Sequence, residues 1–482
     1  MDAKEALDKI LMPGSVAVIG ASTDPFKWGY MLLNAVKQSG FEGDLYPINP
    51  KAEEIQGLKC YASVRDVPGD VDMALVVVPA RFVPSVFEDM KAKGVKGAVV
   101  ITSGFSEAGD EGRQMIKKIL DTAEGSTRFI GPNCMGVTSS KAKLSALMIP
   151  FLHESGDVAF VSQSGGYGLQ LYLRASAMGV GIGKFISSGN ESDLKGWNYL
   201  EYFGQDPDTK IITMYIEGLK DGRRWYEAAK QVTPRKPIVA IKVGVTEAGS
   251  KAAASHTGSI AGSDKVYDAA FRQAGVIRAY DAAEMFDFVK GLLYCPLPQG
   301  PNIGIVSNSG GVAVETADRL IQNGLKVPTF SEEAQEEVKQ LIPDFGNPKN
   351  PVDLTATLNM NSFLNVPDIV LKQPEIHGMI TISLGTSIIK TMFPDVPEED
   401  LQGMYEWING TLLKTYKKYD KPVIVIDPAA DVAGASAKIL EKEQVPVYTT
   451  PERAADVMGI LYKRKLYLDK VKAPPSNVHK VL

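Results

Sequence analysis

The chain has 482 residues, 44% of them hydrophobic and 23% charged, the proportions of an ordinary globular protein rather than a disordered or fibrous one, and at roughly 150 residues per domain it predicts about three domains. Its 52 Lys and Arg stand against 57 Asp and Glu, a net charge of −5 with both signs mixed along the chain, so no basic field invites nucleic acid or an anionic membrane surface. No apolar run approaches the roughly 18 residues of a spanning helix, and the N-terminus MDAKEALDKILMPG is acidic where a signal peptide is basic, so the cytoplasm is the expected compartment. In chain order, short β-branched runs end in Gly, Ser or Asn and lead into helical stretches, which predicts an α/β protein of parallel sheets. The first block holds SVAVIG (15–20), DLYPIN (44–49), DMALVVV (72–78), GAVVITS (97–103) and RFIGPN (128–133), one doubly wound domain. A second series runs through VAFVSQSGG (158–166), KIITMYIEG (210–218) and KPIVAIKVG (236–244). A third runs through IGIVSNSGG (303–311), GMITISLG (378–385) and KPVIVIDPA (421–429). The starts of the last two, VxFVSxSGG and IxIVSxSGG, repeat each other, and each series later reaches a Lys-Pro strand, which predicts an internal duplication of one sheet domain. Pro and Gly cluster near 140–157 and 295–302. The expected domains are therefore 1–140, 150–295 and 300–465, followed by a solvated tail at 466–482.

Ligands of open α/β sheets bind at the carboxyl ends of the strands, so the loops leaving these strands are where chemistry is sought. Gly20-Ala21-Ser22-Thr23 leaves the first strand with small residues that let backbone N–H groups and a hydroxyl approach a phosphate, the alternative being a plain tight turn. The dinucleotide fingerprint GxGxxG is absent. Where an acidic residue would grip a ribose, Tyr46-Pro47-Ile48-Asn49-Pro50-Lys51 offers an amide and a cation. Lys51 suits a phosphorylated ribose, as in NADP or coenzyme A, unless it is a solvated surface lysine. Ser162-Gln163-Ser164-Gly165-Gly166 and its duplicate Ser307-Asn308-Ser309-Gly310-Gly311 could each form an anion nest at a helix start, or could be close-packing glycines. His256, in Ala254-Ser255-His256-Thr257-Gly258-Ser259, sits among Gly and hydroxyl residues, where a neutral imidazole could accept a phosphoryl group. Glu217, ending MYIEG, is a candidate carboxylate to orient that ring. The three cysteines (Cys60, Cys134, Cys295) and four histidines show no CxxC or HxxxH spacing, against a disulfide framework and a structural zinc site. No GxxxxGK[ST] occurs, the nearest match being GVTEAGSK (244–251) with its last two residues reversed, so the chain carries no recognisable ATP site of its own.

Taken together, VAVIGAS (16–22), YPINPK (46–51), ITSGFSEAG (101–109), IGPNCMG (130–136), VSQSGG (161–166), YIEG (215–218), KAAASHTGSIAG (251–262) and NPVDL (350–354) resemble the NDP-forming acyl-CoA synthetases, in their α-type chain related to the succinyl-CoA synthetase α subunit. The likeness covers about residues 7–465. It implies an N-terminal Rossmann-like CoA-binding domain followed by two flavodoxin-like doubly wound domains. It also implies a reversible reaction: acyl-CoA and phosphate give acyl phosphate and CoA, and the phosphoryl group passes through a histidine to ADP. By motif position, His256 would be the phosphorylated residue and Glu217 its orienting carboxylate. Ser164, Gly165 and Gly166 would face the phosphoryl group, with Asn133 near the acyl and phosphate site. Gly20, Ser22, Lys27, Asn49, Lys51, Pro79 and Ser103 fall in loops similar to those that hold CoA. The family's nucleotide site lies in an ATP-grasp module, so the resemblance implies a β subunit in an α2β2 assembly, with Mg²⁺ accompanying ADP or ATP on that partner. Two other functions are open to these motifs: a non-catalytic CoA-binding scaffold subunit, and an NADP-dependent oxidoreductase suggested by the first domain alone.

Overall fold

The structure, a computed structural model, describes residues 2–153, 155–251, 263–354, 359–383, 389–390, 394–428, 430 and 434–472. The chain divides into two compact units, Met1–Met285 and Phe286–Leu482.

The first unit holds two sheets. The apolar runs become strands because a parallel strand covered on both faces can be continuously hydrophobic, and β1 (Ser15–Ile19) is buried along its whole length. With β2 (Asp44–Ile48), β5 (Met73–Val76), β6 (Gly97–Val100) and β7 (Arg128–Ile130) it forms a parallel sheet of order β2-β1-β5-β6-β7. A bridge from Ile48 to Tyr61 extends this sheet beyond β2. A small hairpin, β3 (Glu54–Ile55) with β4 (Leu58–Lys59), lies in the connection. The resulting order is Rossmann-like, and it reverses between β1 and β5. Helices α1 (Ala3–Leu11), α2 (Trp28–Gln38), α3 (Val83–Lys93) and α4 (Asp110–Ala123) accompany these strands.

The chain then passes through β8 (Val137–Ser139) and β9 (Leu144–Ala146), which pair antiparallel and join the second sheet alongside β11. That sheet comprises β10 (Val158–Ser162), β11 (Ile182–Ser187), β12 (Ile211–Ile216), β13 (Ile238–Lys242) and β14 (Ile277–Ala279), in the order β14-β13-β12-β10-β11-β8-β9. Its five parallel strands have the flavodoxin order, reversing between β10 and β12. Helices α5 (Gly165–Ala177), α6 (Gly196–Gln205) and α7 (Gly222–Val232) and the helix Asp264–Ala274 follow. Leu7, Leu33, Ile130, Val161, Ile186 and Trp225 belong to one apolar cluster that spans both sheets and holds their strand ends in fixed relation.

In the second unit β15 (Ile303–Ser307), β16 (Val352–Asp353), β17 (Gly378–Ile382), β18 (Val423–Ile426) and β19 (Val447–Tyr448) form a parallel sheet of order β16-β15-β17-β18-β19. This is the flavodoxin order again, so the duplication read from VSQSGG and VSNSGG is one of topology as well. Local detail repeats too. Ser162 Oγ donates to the Ser164 carbonyl at 2.8 Å, and Ser307 Oγ to the Ser309 carbonyl at 2.9 Å, each tightening the turn before a helix that begins at the first glycine. The helix Pro451–Val471 runs past position 466, where the sequence suggests a solvated tail, because Leu468 still packs inward at 3% exposure. Among the described residues no helix is long and apolar enough to cross a membrane. Cys60, Cys134 and Cys295 are all free and buried.

Candidate active site

Both strand-order reversals of the first unit open into one cavity of about 960 Å³. From the Rossmann-like sheet it takes the loops after β1 (Gly20–Ser22), β2 (Asn49), β5 (Val77–Ala80), β6 (Ile101–Ser103) and β7 (Asn133–Met135). From the flavodoxin-like sheet it takes those after β10 (Gln163–Gly166), β11 (Gly189–Glu191) and β12 (Glu217, Gly218, Lys220).

On the first side, Asn49 clamps the wall. Its Nδ2 donates to the Ala21 carbonyl at 2.8 Å and its Oδ1 accepts the Lys51 N–H at 2.9 Å. The loop after β1 lies close against α2, since a Cβ on Gly29 would stand 2.0 Å from the Gly20 carbonyl oxygen. Only glycine permits that approach. Ser22 Oγ accepts the Asp24 N–H at 3.1 Å, and Phe26, Lys27 and Trp28 stand exposed at this rim.

On the second side, Gln163 bridges β10 and β12. Its Oε1 accepts the N–H groups of Glu217 (2.6 Å) and Gly218 (3.0 Å), while its Nε2 donates to the Gly218 carbonyl (2.8 Å). Glu217 therefore leaves β12 on a backbone pinned by a side chain of the neighbouring strand. Ser164 precedes α5 without capping it through its side chain, so the first N–H groups of a 13-residue helix face the cavity beside Gly165 and Gly166. A Cβ on Gly165 would come within 2.7 Å of Met135 Cγ. Met135 N in turn donates to Ser187 Oγ at 2.9 Å, joining the loop after β7 to β11.

Between the two sides runs a polar seam. Asn133 Nδ2 donates to Asn190 Oδ1 at 3.3 Å, and Asn190 Nδ2 donates to Glu107 Oε2 at 2.5 Å. Burial works to raise the Glu107 pKa, but N–H groups including those of Gly104 and Phe105, together with the Asn190 amide, outweigh it and hold the carboxyl below its ordinary value. Glu191, 3% exposed, accepts from Ser188 Oγ at 2.8 Å and from Gly196 N at 3.1 Å, and burial nonetheless raises its pKa. Lys220 donates from Nζ to the Asn190 carbonyl. Desolvation lowers its pKa, with Glu191 pulling the other way. Cys134 lies in the wall as a neutral thiol, pushed up to about 12 by burial. No group of three or more His, Cys, Asp or Glu side chains able to hold a metal ion lies among the described residues.

Of the residues singled out from sequence, Gly20, Ser22, Lys27, Asn49, Pro79, Ser103, Asn133, Ser164, Gly165, Gly166 and Glu217 all line this cavity. Lys51 stands exposed beside Asn49 and is not among the lining residues. His256 lies outside the described residues. Sequence reasoning missed Gln163 as more than a spacer within VSQSGG, and missed Asn190, Glu191 and Lys220 altogether. The first two of these follow β11, a strand that the sequence pattern does not show, and Lys220 stands just past the YIEG motif.

Comparison with known proteins agrees with this architecture. Residues 14–140 match the CoA binding domain, residues 155–292 the succinyl-CoA ligase like flavodoxin domain, and residues 303–467 the Ligase-CoA domain. Fold and site thus define a CoA-binding ligase subunit of one Rossmann-like and two flavodoxin-like domains. The α subunits of two ADP-forming acetate–CoA ligases of Pyrococcus furiosus are similar to the chain throughout. Subunit α of ligase I is 40% identical over 467 residues (95% of this chain, 97% of that one), and subunit α of ligase II is 39% identical over 452 residues (93% and 96%). The ADP-forming acetate–CoA ligase of Methanocaldococcus jannaschii is 37% identical, matching 95% of this chain but 63% of that protein. A solved dinucleotide forming acetyl-coenzyme A synthetase 1 of Ca. Korarchaeum cryptofilum, in complex with phosphate and ADP, superposes with a TM-score of 0.86 at 34% identity, covering 97% of this chain and 98% of that one. The chain belongs to the family of ADP-forming acetate–CoA ligase α subunits.

Proposed function

We propose that this chain is the α subunit of an ADP-forming acyl-CoA synthetase of the acetyl-CoA type: acyl-CoA, ADP and phosphate give the free acid, ATP and CoA, reversibly. Residues 1–140 hold CoA, 150–295 carry the phosphorylated histidine, and 300–465 form the second ligase domain. The single observation that supports this most is the one cavity into which two sheets send their carboxyl ends. The Rossmann-like loops with Ser22, Lys27, Asn49, Pro79 and Ser103 suit an elongated CoA thioester, and the opposite wall, with Asn133, Ser164, Gly165 and Gly166, suits phosphate. Phosphate attacks the thioester carbonyl there. Glu217, on its pinned backbone, orients His256 to take the phosphoryl group from the acyl phosphate. The nucleotide and its Mg²⁺ belong to an ATP-grasp β subunit in an α2β2 assembly, within the cytoplasm. The test mixes this chain with such a partner and supplies acetyl-CoA, ADP and phosphate. ATP formation is expected, together with an acid-labile phosphoryl group on the chain that the substitution His256→Ala removes. CoA binding without any ATP formation would replace the enzyme by a scaffold.

A further inference from the structure

The cavity has to receive a phosphate dianion, yet two of its four charged lining residues, Glu191 and Glu217, are carboxylates on the flavodoxin-like side where the phosphate belongs. Of the two lining lysines, Lys27 stands at the CoA rim beside Ser22 and Phe26, in a loose 3.9 Å pairing with Asp24. Among the described lining residues, that leaves Lys220 as the cation of the phosphate side.

Resting on the function proposed above, we infer that Lys220 recognises the phosphoryl oxygens of inorganic phosphate and of the acyl phosphate formed from it. Its position is defined. The Nζ is anchored on the Asn190 carbonyl, and Asn190 is bonded through its side chain to Asn133 and through its N–H to the Pro132 carbonyl at 2.9 Å. The ammonium thus sits where the loop after β7 meets the loop after β11. An ammonium has three donors, and the anchor uses one. Lys220 is exposed and lines the cavity, within reach of a ligand there. Glu191 is turned away from the incoming anion's charge, its carboxyl taken up by Ser188 Oγ at 2.8 Å and Gly196 N at 3.1 Å. In the step served, an oxygen of HPO₄²⁻ adds to the thioester carbon, the C–S bond breaks, and the CoA thiolate takes up the proton that the phosphate gives up. The products are acyl phosphate and CoA–SH, and Lys220 balances charge on the phosphoryl oxygens throughout.

The experiment measures ATP formation by the reconstituted complex with phosphate and acyl-CoA varied in turn. Lys220→Gln should raise the KM for phosphate by about 10- to 100-fold, the usual worth of a charged hydrogen bond. The KM for acyl-CoA should stay unchanged, and Lys220→Arg should recover part of the loss. An unchanged phosphate KM in Lys220→Gln, or an equal rise in both KM values, overturns the inference. Absence of phosphate-dependent turnover in the unsubstituted complex overturns instead the function on which it rests.

Discussion

Gln163 commits both ends of its side-chain amide to the backbone of Glu217 and Gly218, through bonds of 2.6, 3.0 and 2.8 Å, and also bonds to the buried Glu191 carboxyl. The bonds to backbone act as one more rung between β10 and β12, placed where the ladder of main-chain bonds has ended. If Glu217 orients the phosphorylated histidine, Gln163→Ala should lower kcat by about 100-fold, the effect of a misplacement near 1 Å, while the Kd for CoA is unaltered. Equal losses in kcat and CoA affinity would show a general collapse of the loop instead. A second expectation at this scale concerns thiols. Burial pushes both Cys134 and Cys295 up from the ordinary 9.0 to about 12. Reactivity belongs to the thiolate, so native protein treated with iodoacetamide at pH 8 should show neither residue alkylated by mass spectrometry, and both should react in guanidinium. The same shift fixes a sign. The unfolded thiols lose their protons near pH 9 and the folded ones near 12, so these groups' contribution to stability is complete below pH 9 and is lost as the pH rises towards 12.

Among the elements, the strands that were legible are those whose apolar run is continuous, such as Val158–Ser162 and Ile303–Ser307, both buried throughout. β11 was not legible, and its neighbours show why. Gly181 and Gly183 dilute its hydrophobic pattern, yet they are needed for close chain approach: a Cβ on them would lie 2.4 Å from the Ser155 carbonyl oxygen and 2.2 Å from that of Gly156. The strand also carries Lys184, a residue that by type belongs on a surface. Its side chain, 5% exposed, meets Asp206 at 2.6 Å at the end of α6, and Thr209 Oγ1 donates to the same carboxylate at 2.6 Å. Such a pair is visible only once the strand and the helix end are placed together. Lys184→Met should destabilise the chain by about 3–5 kcal/mol in urea unfolding, because it leaves a buried carboxylate without its cation, whereas Lys184→Met with Asp206→Leu should recover most of that loss. A double variant as unstable as the single one would mean that Asp206 matters through Thr209 rather than Lys184.

For the molecule as a whole, legibility follows the same division. Loops leaving readable strands supplied eleven lining residues of the cavity from motif position alone, whereas Asn190, Glu191 and Lys220 emerge only where two sheets converge, a relation no local pattern encodes. That convergence also separates two activities. Every described residue lining the cavity belongs to the unit Met1–Met285, so under the proposed function the thioester would be walled by this chain, while ATP formation would require the nucleotide site proposed for a partner. CoA should accordingly bind the isolated chain at one site per chain in titration calorimetry. At a free concentration of 100 times its Kd it should add about 2.7 kcal/mol to the stability of the folded state, raising the melting temperature without any partner present. Adding the ATP-grasp subunit should then switch on turnover and leave the Kd for CoA within about a factor of ten, since no new wall is needed around the thioester and a tenfold change would require about 1.4 kcal/mol of coupling. A chain that binds CoA only after its partner is added would show that the cavity is completed across the subunit interface, and that the strand ends of this unit are necessary for the site without being sufficient.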